Sequence, residues 1–517
     1  MPWGPVRYRE QGWWTGEKLA DRFDSLVHAA PHRRAIVDER GNALTRQELW
    51  DSAGRLAEQL AQGGVRAHDV VVIYLPNSLA WQVAFLAVLR TSAVPATIPV
   101  TTDASTLAHT CQLIGARAVV TVETVRKKPT GQWAIDALTR TGRASAVFTH
   151  TERGFDLTPV TGQDFEPLVP DGVDHLMFTS STTGMPKAVM HTSDTLQAAN
   201  VAFAERFAVD EATPIFMPSP LGHSVGAWHG ARLSLFVGAT LVVQDEWNPA
   251  RALELIAEYG CQFTAAATPF LKDIIDVPWS SDEPKLSSLR SFLCGGAPVP
   301  PSLLEAAAAQ APQTFVTVLW GMTEGTGTTC VPESTADQLT NTAGKPTPNI
   351  QLRIVEPDDS GAGELVMRGA AVFVGYLGQE DLYQDLLTDD GWFRTGDLAR
   401  IDDDGYLRLT GRLKDLIIRG GVNISPVPIE DVIAAHPAVR RVAVIGEPDE
   451  RLGERIRAVI VPNGTPPTLS ELVAWLRERG LSERKLPESL VVIEEMPVTA
   501  AGKIRKADLR RSLEETA

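Results

Sequence analysis

The chain is poor in cysteine: Cys111, Cys261, Cys294 and Cys330 are the four in 517 residues, far apart and with no Cys-x-x-Cys pair. That excludes a clustered-thiol motif and reads as buried thiols in a reducing compartment. It has no run of about eighteen apolar residues, which excludes a membrane-spanning helix. The opening Met1-Pro2-Trp3-Gly4-Pro5-Val6-Arg7 lacks an apolar signal segment, and Glu514-Glu515-Thr516-Ala517 is not a peroxisomal tripeptide; the expected location is cytoplasmic. Positive charge is also short, with 48 Lys and Arg against 64 Asp and Glu and a formal charge of −16. That disfavours nonspecific binding to nucleic acid or anionic membranes, so an anionic ligand must be met by local donors. The Walker string Gly-x-x-x-x-Gly-Lys-Ser/Thr, the Gly-x-Gly-x-x-Gly fingerprint and His-Glu-x-x-His are all absent.

What is present suits a large globular chain. Apolar residues make up 44% of the sequence, enough for a substantial core, and the length fits about three ordinary domains or one large and one small. Val70 to Leu75 reads as a buried strand, Leu79 to Arg90 as an amphipathic helix and Val94 to Ile98 as another strand; a further helix leads into Ala118 to Val122. This βαβαβ pattern predicts a layered α/β domain with parallel-rich sheets flanked by helices. Ligands then belong at the carboxyl ends of strands. After Lys414 the texture changes to short strands, Val442 to Gly446, Ala458 to Pro462 and Leu490 to Ile493, around a helix near Glu471 to Arg479, which predicts a small α+β domain.

The most informative segment is Thr179-Ser180-Ser181-Thr182-Thr183-Gly184-Met185-Pro186-Lys187. Hydroxyl and backbone N–H donors with one ammonium form a polyphosphate cradle where a glycine lets the main chain approach. The flanks Leu176-Met177-Phe178 and Ala188-Val189-Met190 read as short strands gripping the loop, which argues against a solvated Ser/Thr linker.

This string resembles the phosphate loop of the adenylate-forming (AMP-binding) superfamily, of acyl- and aryl-CoA synthetase type. Ser181 and Ala188 stand where two family glycines are usual, which stiffens the loop. Further segments resemble family signatures in family order: Trp320-Gly321-Met322-Thr323-Glu324-Gly325, Gly363-Glu364-Leu365 to Gly375-Tyr376-Leu377, Trp392-Phe393-Arg394-Thr395-Gly396-Asp397, Gly411-Arg412-Leu413-Lys414-Asp415 and Ala501-Gly502-Lys503-Ile504-Arg505-Lys506. The resemblance spans essentially the whole chain. It implies a large adenylation domain over residues 1–411, a hinge at 412–414 and a small mobile C-terminal domain over 415–517, acting as a monomer or homodimer.

The implied reaction is ATP-dependent activation of a small-molecule carboxylic acid. A carboxylate is a poor acyl donor, so it attacks the α-phosphorus of ATP to give an acyl-adenylate and pyrophosphate, and CoA then takes the acyl group as a thioester. The resemblance makes Thr179, Ser180, Ser181, Thr182, Thr183, Gly184 and Lys187 the phosphate contacts. Thr323 becomes an α-phosphate donor and Glu324 the Mg²⁺ ligand, since Mg²⁺ accepts a single carboxylate beside phosphate oxygens and water. Gly295, Gly296, Ala297 and Pro298 lie against adenine, with Trp320, Gly321 and Met322 beside it and Trp320 offering a stacking face. Asp397 accepts from the ribose hydroxyls, helped by Arg412. Lys503 bridges the acid and the phosphates, offsetting repulsion between two anions. Lys414 is the hinge residue, and Gly420 and Gly421 line the CoA path. From residue type alone, Thr323-Glu324 would be a helix cap, Trp320 a core residue, Asp397 a turn aspartate, and Lys414 and Lys503 solvated charges.

Met217-Pro218-Ser219-Pro220-Leu221-Gly222-His223-Ser224-Val225-Gly226 resembles the segment bordering the acyl pocket, so His223, Ser224, Gly226, Trp228, Gly325 and Thr326 are candidates for holding the acid. The same stretch spells Gly-x-Ser-x-Gly, the nucleophile elbow of a serine hydrolase with Ser224 as nucleophile. Pro218 and Pro220 crowd the strand the elbow requires, and His436-Pro437 is the available downstream histidine. Two other readings are a non-catalytic nucleotide-binding relative, motivated by Ser181 and Ala188, and adenylation with transfer to a carrier protein or partner enzyme. The opening Tyr8-Arg9-Glu10-Gln11-Gly12-Trp13-Trp14-Thr15-Gly16-Glu17 resembles the start of aryl-acid adenylating and cyclohexanecarboxylate-type CoA ligases. Ser224 in place of the usual asparagine argues against an ortho-hydroxybenzoate, leaving a cyclic or medium-size acid.

Overall fold

The computed structural model describes residues 3–179, 185–278, 285–296, 299–498 and 503–514. An eight-stranded sheet carries the parallel strands Val94–Thr97, Val70–Tyr74, Ala116–Val122 and Ser145–Thr151 at its centre. All five residues of Val70–Tyr74 are buried, as an unbroken β-branched run between two covered faces requires. A nine-stranded sheet holds the parallel series Ile215–Met217, Phe263–Ala267, Ser291–Gly295 and Phe315–Met322. Helix Leu79–Arg90 is buried on nearly every side, from Ala80 through Val88, because it packs against strands of both sheets. The four cysteines are buried thiols.

The α/β expectation therefore holds, with one unit that the sequence patterns did not separate. Strands Ile350–Val355, Gly363–Gly369, Phe393–Ile401 and Leu407–Arg412 form their own four-stranded antiparallel sheet. Beyond it, the single 3-10 turn Leu413–Asp415 leads into a five-stranded sheet with helices Val427–Ala434 and Leu469–Glu478. Its long strands, Val439–Asp449 and Gly453–Pro462, extend well past the short runs expected.

Two alignments position the candidate site. Parallel strands Ser291–Gly295 and Phe315–Met322 pair Gly295 with Leu319, so the glycine-rich turn and the Trp-Gly-Met-Thr-Glu segment emerge side by side. In the eight-stranded sheet, Val173–Phe178 and Ala188–Thr192 form the antiparallel stem of the Ser/Thr-rich loop, as expected. Tyr376 pairs beside Val189 on the same edge. A Cβ at Gly295 would lie 2.4 Å from the Leu319 carbonyl oxygen. Gly295→Ala is therefore expected to force these strands apart at a cost of about 1–3 kcal/mol, seen as a lower urea midpoint at unchanged slope.

Candidate active site

The stem of the Ser/Thr-rich loop is closed at its base: the Thr179 N–H donates to the Lys187 carbonyl (3.2 Å) and the Lys187 N–H to the Thr179 hydroxyl (3.3 Å). Ser180, Ser181, Thr182, Thr183 and Gly184 lie outside the described residues, as do Ala297 and Pro298. Lys187 directs its ammonium over the Tyr376 ring, 4.8 Å from the centroid, a cation–π contact that helps hold the cation in place.

Thr323 and Glu324 are not a helix cap. Strands Phe315–Met322 and Gly325–Thr329 are antiparallel, with Met322 paired to Gly325 and Gly321 to Thr326, so the two residues form the tip of a hairpin. Glu324 is 5% exposed and accepts a 2.6 Å hydrogen bond from the Tyr376 hydroxyl. Burial raises its carboxyl pKa, partly countered by that hydroxyl and by the Lys187 and Arg412 charges. Gly325 packs against Met367, whose methyl would meet a Cβ at 3.0 Å.

Asp397 sits opposite Arg412 in the register of Phe393–Ile401 with Leu407–Arg412. Arg412 Nε reaches Asp397 Oδ1 at 2.8 Å, and the Trp320 indole N–H donates to Oδ2 at 2.9 Å. Trp320 is 5% exposed and packs with Val189, Phe373 and Tyr376. It thus has the core placement of the competing account together with a polar duty to the carboxylate expected to face ribose.

Lys503 meets this group from the C-terminal side. Burial, then the Arg412 and Lys414 charges, lowers its pKa to about 7, with Asp397 and Asp415 acting in the opposite sense. Lys187 also acts electrostatically on Lys414. Lys187, Arg412, Lys414 and Lys503 therefore surround Glu324, Asp397 and Asp415, an arrangement built to receive further negative charge. Glu324, a buried carboxylate on which the Lys187 charge acts, fits the donor set that Mg²⁺ needs beside phosphate oxygens.

His223 caps the helix that starts at Ser224, accepting from the Val225 N–H through Nδ1 at 3.4 Å. Burial followed by the Lys503 charge brings its pKa to about 4, so it is a neutral ring near that lysine. Ser224 is the first residue of this helix and has no positive φ; the strained elbow of a hydrolase nucleophile is not formed. His436 packs instead on Trp475 in the C-terminal unit, with centroids 4.6 Å apart. A Cβ at Gly226 would meet the Pro220 carbonyl oxygen at 2.3 Å, so close backbone packing within the turn requires this glycine. Trp228 is buried. Of Thr326, the backbone pairing with Gly321 is defined. Gly420 and Gly421, with φ of 58° and 79°, form the two-residue turn between Ile417–Arg419 and Val422–Ile424, where two positive φ angles call for glycine.

One residue of consequence escaped the sequence reading. His191, on the strand after the phosphate loop, donates from Nε2 to the Thr323 carbonyl (2.8 Å), and its Nδ1 lies 3.2 Å from the Thr195 hydroxyl. Burial lowers its pKa to about 4, and its ring meets Trp228 edge-on at 5.2 Å. It ties the loop strand to the hairpin tip and to the acid side of the site.

With this geometry in place, the chain is assigned by its relatives. It belongs to the AMP-binding enzyme family, whose model matches residues 23–377, and the AMP-binding enzyme C-terminal domain matches residues 428–503. Among its relatives, the medium-chain fatty-acid–CoA ligase of Escherichia coli (strain K12) is 31% identical over 98% of this chain and 92% of that protein. The 3-[(3aS,4S,7aS)-7a-methyl-1,5-dioxo-octahydro-1H-inden-4-yl]propanoyl:CoA ligase of Mycobacterium tuberculosis (strain ATCC 25618 / H37Rv) is 32% identical over 94% of this chain and 97% of that protein. The o-succinylbenzoate CoA synthetase of Bacillus subtilis, solved with its acyl-adenylate intermediate, superposes with a TM-score of 0.78 at 25% identity, covering 95% of this chain and 97% of that one. Among the described residues no helix is long and apolar enough to cross a membrane.

The depressed Lys503 pKa gives a signed test. Near pH 8 the empty site holds this amine largely neutral, and a polyanion beside it restores the charge, so nucleotide binding should take up about one proton. At pH 6, below the shifted value, the amine is already charged and uptake should vanish. Titration calorimetry in buffers of different ionisation enthalpy measures this, and Lys503→Ala should remove the uptake at pH 8.

Proposed function

We propose that this chain activates a carboxylic acid with ATP, forming an acyl-adenylate and releasing pyrophosphate, and then passes the acyl group to CoA as a thioester. The observation that carries the reading is the convergence of Lys187, Arg412, Lys414 and Lys503 around the buried carboxylates Glu324 and Asp397. Four cationic side chains acting on one another favour a further polyanion, and a triphosphate beside a carboxylate supplies one. Lys503 acts electrostatically on His223 and feels the Arg412 and Lys414 charges; in this reading its ammonium offsets repulsion as the carboxylate oxygen approaches the α-phosphorus. The carboxylate oxygen forms the new bond to phosphorus, and pyrophosphate leaves with the electron pair of the bond that breaks. Thr323, whose carbonyl is held at the hairpin tip by His191, would donate to the α-phosphate. Asp397, oriented by Trp320 and Arg412, retains lone pairs for the ribose hydroxyls. Glu324 would hold Mg²⁺, which when bound supplies neutralisation of phosphate charge.

The second half-reaction follows from the position of Lys503 and the Gly420-Gly421 turn on one unit beyond the turn Leu413–Asp415. Rotation about residues 412–414 would withdraw the lysine and bring the glycine turn to the thiol. Relatives named for a medium-chain fatty acid and for a ring-bearing propanoyl acid support a cyclic or medium-size acid as substrate.

Pyrophosphate release should require an acid and ATP, and thioester should appear on adding CoA alone. Acyl-adenylate without thioester would transfer the second step to a carrier protein or partner enzyme. Lys503→Ala should lower acyl-adenylate formation by about a hundredfold or more while nucleotide still binds; unchanged adenylation would remove the lysine from the reaction.

A further inference from the structure

The helix that follows His223 changes character along its length. Ser224–Gly226 is α-helical, Ala227–Arg232 is a π-helix and Leu233–Val237 returns to α. A π segment widens the helix and leaves carbonyls short of their usual partners, a feature common at functional sites. Two side-chain amides from neighbouring helices take those carbonyls: Asn200 Nδ2 donates to Trp228 (3.2 Å) and Gln82 Nε2 to Ala231 (2.9 Å).

The rest of this layer is polar, buried and incomplete. Among the described residues, Gln82 Oε1, Asn200 Oδ1, Trp228 Nε1, His175 Nδ1 and both Nε and Nη1 of Arg232 have no hydrogen-bond partner. Arg232 is 2% exposed. Its nearest carboxylate oxygen, Asp174 Oδ2, is 3.8 Å away, and the other oxygen of that group is engaged by Lys18 at 3.1 Å. Burial lowers the guanidinium pKa to about 10, with Asp174 opposing the shift, so the side chain stays cationic at neutral pH. Burial first, then the Arg232 charge, lowers the His175 pKa well below its usual value, so this ring is neutral at neutral pH. Unpartnered polar groups gathered in one layer call for an occupant that completes them.

This layer is continuous with the reaction centre. The Thr323 carbonyl is held by His191, the His191 ring meets Trp228, and Arg232 lies one turn past Trp228. From His223, beside Lys503, to Arg232 is nine residues, about 13 Å of helix.

We propose that Arg232 and Trp228, with the His175 ring beside them, form a subsite for a hydrogen-bond-accepting oxygen, a ketone or a second carboxylate, carried by the acid at the end remote from the carboxyl that is activated. The inference rests on the adenylation reading and refines its substrate class from apolar acids to oxygenated ones. A methyl terminus placed there would leave the Arg232 and Trp228 N–H donors buried without partners, which is the situation that discriminates most strongly between near-isosteric ligands.

The test compares decanoic acid, its terminal methyl-ketone counterpart and decanedioic acid, by pyrophosphate release and by the melting shift each produces in the full chain. The oxygenated acids should exceed decanoate in kcat/KM by about tenfold or more, the two arms separating ketone from carboxylate. Arg232→Leu should abolish that ratio chiefly through KM, Arg232→Lys should retain part of it for the diacid, and Trp228→Phe should lower it with the ring volume nearly kept. Equal rates for all three acids, or an unchanged ratio in Arg232→Leu, would overturn the subsite and leave the layer to ordered water. Should Arg232→Leu not fold, Trp228→Phe decides by the same ratio. If no acid releases pyrophosphate, the adenylation reading falls, and the melting shift by decanedioate against decanoate still decides the subsite.

Discussion

Mutual repulsion between like charges is the constraint around which this site is organised. Lys187, Arg412, Lys414 and Lys503 come from three separate parts of the chain and act on one another electrostatically. They would not gather by attraction. What holds them is backbone pairing: the stem of the phosphate loop fixes Lys187, the register of two strands sets Arg412 against Asp397, and the short turn Leu413–Asp415 delivers Lys414. Donors fixed by sheets need little reorganisation when charge develops between them.

The carboxylates are fixed just as firmly. Tyr376 holds Glu324, and Trp320 with Arg412 holds Asp397. Tyr376 and Trp320 each belong to a different sheet from the carboxylate they orient, whereas Arg412 shares the four-stranded sheet with Asp397, so the three sheets of the large unit must be assembled before the site exists. Gly295 shows the tolerance involved: its neighbour Leu319 leaves no room for a single methyl. His191 adds the transverse link, joining the strand that leaves the phosphate loop to the hairpin tip that carries Thr323 and Glu324.

The sequence was informative where a physical signal is local. Val70–Tyr74 was legible as an unbroken apolar run, and Leu79–Arg90 as a helix, though one expected to be amphipathic and found buried from Ala80 through Val88 between two sheets. The loop stem was legible from its apolar flanks. The contacts that orient the site were not: Trp320 to Asp397 spans 77 residues and His191 to Thr323 spans 132, and neither leaves a mark on spacing. The four-stranded antiparallel sheet escaped separation although Ile350–Val355 alternates apolar and polar residues, because alternation marks a strand without showing which strands it pairs with. The π segment escaped because Ala227–Arg232 uses residues that an α-helix would also accept; its widening becomes visible only through the amides of Asn200 and Gln82 that occupy its carbonyls.

The same burial that strengthens electrostatics in the loaded site works against charge in the empty one. Desolvation raises the Glu324 pKa and lowers that of Lys503, so both move toward their neutral forms. A nucleotide supplies negative charge for the lysine, and a divalent ion supplies positive charge for the glutamate, each favouring ionisation of the group it meets. Ligand and site therefore acquire charge together, in a volume from which water has been displaced, and the cost of ionising the buried groups is offset only when complementary partners are present. Selectivity for a metal-bound triphosphate over a lone anion follows from that coupling: an anion alone satisfies Lys503 but disfavours ionised Glu324, whereas the metal complex satisfies both.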